Sequence, residues 1–141
     1  MKIIIEGTDG VGKSTTIKRL AKNNIICQDR SRNVISKYML FDISMENRVN
    51  KYFEYLKNND CLIIFLINNN KSELMRRIYS REKISDFDLQ AYEYNLLYKE
   101  TYEYMKKKNM LLNKLYMIDV TNLNIEEQTN KVKKLIKERS D

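Results

Sequence analysis

Residues 2–15 read KIIIEGTDGVGKST, a strand-forming run followed by a glycine-rich segment. The three consecutive isoleucines predict a short β-strand from Lys2 to Glu6. Gly7 to Ser14 then match the pattern G-x-x-x-x-G-K-[ST] at every fixed position, and apolar side chains recur at helical spacing from Lys13 to Asn23. Strand, glycine-rich loop and helix thus follow one another in the order that this pattern requires.

The glycine-rich segment, residues 7–15, is called the phosphate loop below because its composition suits a di- or triphosphate. Glycines let backbone N–H groups approach a phosphate closely, and the partial positive charge at a helix N-terminus favours anions. Lys13 would supply a mobile cation for the β and γ phosphates, and the Ser14 hydroxyl is the expected Mg²⁺ ligand. The predicted nucleotide-binding residues of the loop are Gly7, Asp9, Gly10, Val11, Gly12, Lys13, Ser14 and Thr15.

The rest of the chain alternates strand and helix patterns. Further strands are predicted at residues 24–28, 61–67 and 115–120, the second of them apolar at every position. Helices are predicted from Ser44 to Lys57, from a Ser72 cap, from about Phe87 to Lys107, and from a capping box at residues 124–127, with a short helix around 34–39. This order predicts an α/β fold: one three-layer domain over residues 1–141, with a small, mostly parallel sheet of about four strands flanked by helices. Ligands of such sheets bind beyond the carboxyl ends of the strands.

Composition excludes several other classes of protein. A chain of 141 residues buries enough surface to fold without disulfides, so Cys27 and Cys61 are interpreted as free, buried thiols. The absence of histidine excludes His-based catalysis, and the absence of a cysteine cluster excludes the usual zinc sites. The longest apolar run, residues 61–67, is too short to cross a bilayer. With no signal-like N-terminus, these features predict a cytoplasmic protein with no membrane partner.

The net charge of +7 favours anionic partners. Much of the excess lies in the run from Lys106 to Lys108 and in a second cluster made of Lys131, Lys133, Lys134 and Lys137. We interpret both as solvated helix faces, so that a nucleic-acid partner is open but not favoured. The tyrosines between Tyr92 and Tyr104 are likewise assigned mainly to core packing rather than to base stacking.

The phosphate loop and its flanks, residues 5–15, resemble the E-G-x-D-G-x-G-K-[ST]-T loop of thymidylate kinases and, more loosely, the loop of deoxynucleoside kinases. Asp29-Arg30-Ser31 resembles the D-R-[YS] step of these enzymes. That resemblance implies that Arg30 holds a substrate phosphate or 5′ oxygen and that Asp29 helps to place Mg²⁺. Nearly the whole chain follows the order of elements in this family, although only the phosphate loop is specific on its own.

The strand at 61–67 and the arginine-bearing helix after it resemble the strand and lid that close over ATP in these kinases. The candidate lid covers residues 76–88 and contains Arg76, Arg77 and Arg81. Arg77 is assigned to ATP binding and Arg81 to the charge that develops during transfer, although helical spacing does not tell which arginine faces the site. Glu6, which adjoins the loop, is a weaker candidate for a catalytic or metal-linked carboxylate.

The resemblance implies an enzyme that uses ATP and Mg²⁺ to phosphorylate a deoxynucleoside monophosphate similar to thymidylate. Its catalytic residues would be Lys13, Asp29, Arg30 and Arg81, and its metal ligands Ser14 and Asp29. One alternative acceptor is a deoxynucleoside or a polynucleotide hydroxyl, and a different class altogether is a regulatory nucleotide-binding domain without transfer. A homodimer is also expected, because the resemblance implies one.

Two departures from the family concern the acceptor pocket and the lid. Residues 23–28 leave no room for the second strand and the acceptor-binding helices that thymidylate kinases place before the D-R step. Either that segment is absent, or Asp29-Arg30 belongs to the second strand and the D-R step is missing. The D-R-x-E lid pattern is also not matched at residues 85–88.

Overall fold

The computed structural model describes residues 1–29, 34–36, 40 and 42–139, apart from the Phe87 side chain. The strands are β1 (Lys2–Glu6), β2 (Cys61–Ile67) and β3 (Leu115–Asp119). The helices are α1 (Lys13–Ala21), α2 (Met45–Asn58), α3 (Lys71–Tyr79), α4 (Asp86–Leu89), α5 (Ala91–Lys107) and α6 (Ile125–Arg139). The predicted alternation of strands and helices is therefore confirmed.

The strands form an open, all-parallel sheet in the order β1-β2-β3. The central strand, β2, pairs with both neighbours: Ile64 lies opposite Ile5 of β1 and Tyr116 of β3. Every residue of β2 is buried, as the unbroken apolar run predicts for a strand covered on both faces. The carboxyl ends of β1 and β2 lie at one edge of the sheet, where the phosphate loop begins.

The sheet of the described residues has three strands, so the prediction of about four was wrong. Residues 24–28 contribute a single bridge, in which Gln28 lies parallel to Ile4 of β1. Ile5 N donates to Gln28 O (2.9 Å), and Gln28 N donates to Ile3 O (2.8 Å). Among the described residues this ladder extends no further, and the Ile26 side chain is 74% exposed, unlike a residue of a strand that is covered on both faces. The bridge nevertheless brings Asp29 to the edge of the sheet at which β1 ends.

Helices cover both faces of the sheet, which gives the predicted three layers. The α2 and α5 helices pack with Ile63, Phe65 and Ile67 on one face. The α1, α3 and α6 helices pack with the alternate residues of β2 on the other face. Two edge-to-face contacts of Phe65, with Tyr52 of α2 (5.3 Å between centroids) and Tyr98 of α5 (5.0 Å), join the first of these layers.

The helix ends follow the capping signals in two cases and differ in two others. Ser44 caps α2 by accepting from Asn47 N (3.2 Å), as predicted. Asn124 and Glu127 form the predicted capping box of α6, with Glu127 N donating to Asn124 Oδ1 (2.8 Å) and Asn124 N to Glu127 Oε1 (3.1 Å).

The prediction of a Ser72 cap was wrong, because Asn70 Oδ1 accepts from Glu73 N (3.0 Å) and starts α3 two residues earlier. The tyrosine-rich helix begins at Ala91 rather than near Phe87, since the short α4 precedes it as a separate turn. Of the helix expected around residues 34–39, residues 34–36 are described and are not helical, and residues 37–39 lie outside the described residues. In the described part of the chain, no helix is both long and apolar enough to cross a membrane.

Candidate functional site

The phosphate loop leaves β1 and turns into α1 through two glycines with left-handed backbone conformations. Gly10 has φ 90° and Gly12 has φ 81°, values that side-chain-bearing residues rarely adopt. Gly12 is the N-cap of α1, and no side chain of the described residues caps this helix end. The first turn of α1 also carries no acidic residue. The N–H groups and partial positive charge of the helix start are therefore available to an anion.

A cavity of about 380 Å³ opens in front of this helix end. Its walls combine the loop, the start of α1, two lid arginines and the first turn of α6. The lining residues are Thr8, Asp9, Gly10, Gly12, Lys13, Ser14, Thr15, Arg77, Arg81, Ile125 and Gln128. Most of the predicted nucleotide-binding residues are thus brought together, while Thr8, Ile125 and Gln128 were not predicted. Gly7 and Val11 do not line the cavity; Val11 is fully buried in the core beneath it.

Three side chains hold carbonyl oxygens of the loop. Lys13 Nζ donates to Gly7 O (3.3 Å), and a terminal guanidinium nitrogen of Arg77 donates to Gly10 O (3.1 Å). Gln128 Nε2 donates to Val11 O (2.8 Å). Because the C=O and N–H of a trans peptide point in opposite directions, fixing a carbonyl also fixes the direction of the next N–H group. The loop is therefore preorganised before any ligand arrives.

Gln128 is the most informative residue that the sequence did not reveal. It lies in the first turns of α6, is 1% exposed, and donates from Nε2 to Thr16 Oγ1 (2.9 Å) as well as to the loop. An ideal Cβ at Gly12 would lie 3.0 Å from this same nitrogen, so the amide packs directly on the loop. The one local signal is the capping box, which fixes where α6 begins and hence which side chains its first turns present.

The lid arginines differ in their surroundings. Arg76 is exposed and makes a bidentate contact with Glu73 of its own helix (2.7 and 3.1 Å). Arg77 shares that carboxylate through Nε (3.1 Å) but also reaches the loop. Arg81 lines the cavity and lies 3.4 Å from Asp88 Oδ1. The structure thus directs Arg77 and Arg81, but not Arg76, to the cavity.

Asp88 connects the lid to the loop. Its Oδ2 accepts from Ser85 N (3.0 Å), and Ser85 Oγ accepts from Asp88 N (3.2 Å), a reciprocal cap of α4. Burial alone would raise the pKa of Asp88, but hydrogen bonds from Ser85, an interaction with the Asp9 side chain and the charge of Arg81 together lower it. Asp88 is therefore held as a carboxylate, and it keeps Arg81 beside the cavity.

The remaining predicted residues occupy different positions. Asp29 follows the Gln28 bridge and is exposed, outside the set of residues that line the cavity. Arg30 lies outside the described residues. Glu6 is fully buried below the loop, where its Oε2 accepts from the Tyr52 hydroxyl (2.5 Å). Burial first, and then the neighbouring Glu6, raise the pKa of Tyr52 well above its usual value, so this hydroxyl stays a donor.

The carboxyl end of β2, residues 68–70, is closed by internal hydrogen bonds. The Asn95 amide accepts from Asn68 N (2.8 Å) and donates to Asn68 O (2.9 Å). Asn69 N donates to Thr121 Oγ1 (2.8 Å), which ties this loop to the end of β3. The polar groups at this carboxyl end therefore fix the local backbone.

A magnesium ion would have few protein ligands here. Among the described residues, no group of three or more His, Cys, Asp or Glu side chains is placed to hold a metal. Ser14 is exposed and lines the cavity. Mg²⁺ typically keeps several waters and is held by one or two protein oxygens together with substrate phosphates, so a sparse site of this kind fits it.

Comparisons with known proteins do not identify a function for this chain. No protein-family model matches the chain, and no curated protein matches it. Among solved structures, the crystal structure of an uncharacterized protein from Eubacterium ventriosum ATCC 27560 is similar over 99% of both chains, with 13% identity and a TM-score of 0.47. A similarity of this strength carries no argument about activity. The residues that line the cavity are therefore the basis for its proposed chemistry.

Proposed function

We propose that the cavity binds the phosphates of ATP with Mg²⁺ and that the protein transfers the γ-phosphoryl group to a deoxynucleoside monophosphate similar to thymidylate. One observation carries the proposal: an uncapped helix start, approached through two left-handed glycines, opens into a cavity lined by Lys13, Arg77 and Arg81. These are the groups that a polyphosphate needs, because cations neutralise its charge and backbone N–H groups donate hydrogen bonds to its oxygens.

The proposed transfer assigns a role to each polar group of the cavity. Lys13 is 9% exposed and lies at the first turn of α1, so its charge is concentrated within the phosphate site. Ser14, which lines the cavity, would hold Mg²⁺, and the ion would neutralise charge on the β and γ oxygens. Arg81, held at the cavity by Asp88, is the cation best placed to stabilise negative charge on the transferred group. Catalysis of this kind depends on positioning and charge more than on a protein nucleophile.

A monophosphate acceptor suits a chain without histidine. In the proposed step an oxygen of the acceptor phosphate forms a bond to the γ phosphorus, the bond from that phosphorus to the β–γ bridging oxygen breaks, and ADP leaves. The attacking oxygen is already deprotonated at neutral pH, so no general base has to remove a proton. A hydroxyl acceptor would need such a base. Among the described residues that line the cavity, Asp9 is the one carboxylate that could serve as that base.

The experiment measures Mg²⁺-ATP binding by calorimetry and phosphoryl transfer to a panel of deoxynucleosides, their monophosphates and a single-stranded oligonucleotide. Lys13→Ala is expected to weaken ATP binding by about tenfold or more and to abolish transfer, because it removes the buried cation. Lys51→Ala is the matched control, since it removes the same charge from the exposed side of α2, away from the cavity.

Each outcome bears on a different part of the proposal. Transfer to a monophosphate that Lys13→Ala abolishes and Lys51→Ala preserves would support all of it. Transfer to a hydroxyl group of a compound in the panel would show that the proposed monophosphate acceptor is wrong. ATP binding without transfer to any acceptor would overturn the reaction and favour a regulatory nucleotide-binding domain, an alternative consistent with the short segment between α1 and Asp29. Failure to bind ATP at all would overturn the whole proposal.

A further inference from the structure

Two clusters of basic residues that are far apart in the sequence lie on neighbouring helices. The α1 and α6 helices pack against each other, and Thr16 Oγ1 of α1 accepts from Gln128 Nε2 of α6 (2.9 Å). Leu20, Val132 and Ile136 share one core cluster beneath them. The outer sides of the two helices carry basic side chains that are exposed or half-exposed, and together these define the α1/α6 basic surface: Lys18, Arg19, Lys22, Lys131, Lys133, Lys134 and Lys137.

This surface is not neutralised by its surroundings. The sequence contains no acidic residue between Gly10 and Gln28, and Glu138 is the one acidic residue after Glu127 in α6. Within the described residues, none of the cations of the α1/α6 basic surface forms an ion pair. The ion pairs that do occur lie elsewhere, chiefly at the lid arginines. The surface thus concentrates seven cations, and Glu138, which lines one depression together with Lys133, Lys134 and Lys137, offsets only a small part of their charge.

We propose that the α1/α6 basic surface binds the phosphodiester backbone of nucleic acid without reading its sequence. From Lys131 to Lys137 the helix axis rises about 9 Å, and one strand of B-form DNA presents a phosphate about every 3.4 Å along its axis. Lysines on two adjacent helices can therefore contact several successive phosphates. Contacts of this type supply affinity and orientation but carry no base specificity.

An anionic membrane is the poorer fit for the same charges. A helix that lies on a bilayer inserts an apolar face beneath its basic one. Of the apolar residues of α6, Val132 and Ile136 are instead buried in the core at 0% and 4% exposure, Leu135 packs half-buried against the same core cluster, and Ile125 lines the cavity. No such face is left for lipid on α6, whereas a nucleic-acid backbone requires only the charges.

The α1/α6 basic surface is separate from the cavity. Both helices begin at the cavity, which their first turns line, and the basic residues follow on the later turns. Nucleic acid bound here leaves the phosphate loop free. This proposal is therefore independent of the proposed kinase function, and each is testable without the other.

The test is fluorescence anisotropy with a short, labelled, mixed-sequence DNA duplex, measured over a range of salt concentrations. The variant Lys22→Gln/Lys131→Gln/Lys134→Gln is expected to weaken binding by about tenfold or more, and the slope of log K against log salt is expected to fall by up to about 2.7, because three phosphate contacts are lost. The matched control is Lys106→Gln/Lys107→Gln/Lys108→Gln, which removes the same net charge from exposed lysines at the end of α5. All six substituted side chains are exposed, so both variants are expected to fold.

The control decides between a site and a general effect of net charge. An intact duplex affinity in the Lys106–Lys108 variant, together with the loss in the α1/α6 variant, would support the proposal. Equal losses in both variants, or no loss in either, would overturn it. Displacement of the duplex by saturating ATP would also overturn it, since the nucleic acid would then occupy the cavity, as would binding to anionic vesicles in place of DNA.

Discussion

Replacing Gln128 with leucine should disturb the phosphate loop from a helix that begins more than a hundred positions later in the chain. Leucine has a similar size but cannot donate to Val11 O or Thr16 Oγ1, which Gln128 Nε2 reaches at 2.8 and 2.9 Å. Each neutral hydrogen bond contributes about 0.5–1.5 kcal/mol, and a buried carbonyl left without its donor costs about 1–3 kcal/mol. Loss of the hydrogen bond to Thr16 and of the donor to Val11 O together therefore costs about 1.5–4.5 kcal/mol.

This loss divides between global stability and the order of the loop. A domain of this size is stable by about 5–15 kcal/mol, so the variant is expected to remain folded. If about 1.4 kcal/mol of the loss falls on the loop conformation that binds ATP, the affinity for Mg²⁺-ATP falls about tenfold. Calorimetric titration with Mg²⁺-ATP measures the affinity, urea denaturation measures the stability, and amide hydrogen exchange at Gly12 and Lys13 reports on the loop itself.

Thr129→Val supplies a matched control on the same helix. Thr129 is also buried, but its hydroxyl donates within α6, to Ile125 O (2.7 Å), and not to the loop. Its loss is expected to lower stability without changing ATP affinity or loop exchange. The proposed role of Gln128 would be contradicted if Gln128→Leu bound ATP as tightly and exchanged its loop amides as slowly as the unaltered protein. It would also be contradicted if Thr129→Val weakened ATP binding equally.

Three further predictions concern stability, alkaline pH and thiol reactivity. Gly7→Ala is expected to lower the free energy of unfolding by about 1–3 kcal/mol, measured in urea, because the added Cβ would lie 2.8 Å from Leu66 O. Burial first, and then Glu6, raise the pKa of Tyr52, so unfolded chains ionise before folded ones; stability should fall above about pH 10, and Tyr52→Phe should flatten that fall in denaturation curves. Burial raises the pKa of Cys27 to about 11, so its thiolate is scarcer near neutral pH, and its alkylation by iodoacetamide should be about tenfold or more slower than that of a free cysteine.

Each of these has a clear contrary result. An unchanged urea midpoint for Gly7→Ala would show that β2 gives way at Leu66 without cost. A Tyr52→Phe variant with the same alkaline slope as the parent would mean that Tyr52 is not the group responsible. Fast labelling of Cys27, located by peptide mapping, would show that its burial is transient.

Local signals predicted those parts of the fold that depend on neighbouring residues. The isoleucines of β1, the unbroken apolar run of β2 and the Asn124 capping box each act within a few residues, and the structure confirms all three. The match of the phosphate loop to its motif likewise predicted where Lys13 and Ser14 would lie relative to a helix start. Such features are set by backbone conformation and burial, which short patterns encode.

Features that depend on tertiary contacts were missed or misjudged. Residues 24–28 have strand-like composition, but a strand also needs a partner in register, and a single bridge at Gln28 is what formed. Helical spacing placed Arg76 and Arg77 on the same helix, whereas the contact of Arg77 with Gly10 O, across the fold, separates their roles. Beyond the capping box that places the start of α6, no pattern singles out Gln128, because its importance arises from the approach of α6 to the loop.

The hydrogen bond from Gln128 to Val11 O has a consequence for the synthesis of the protein. Translation proceeds from the N-terminus, so the phosphate loop emerges before α6, which carries the amide that holds it. A nascent chain that still lacks α6 can form the strand–loop–helix segment but cannot lock it. The ability to bind phosphate should therefore arise only after α6 has been synthesised and has packed against the loop.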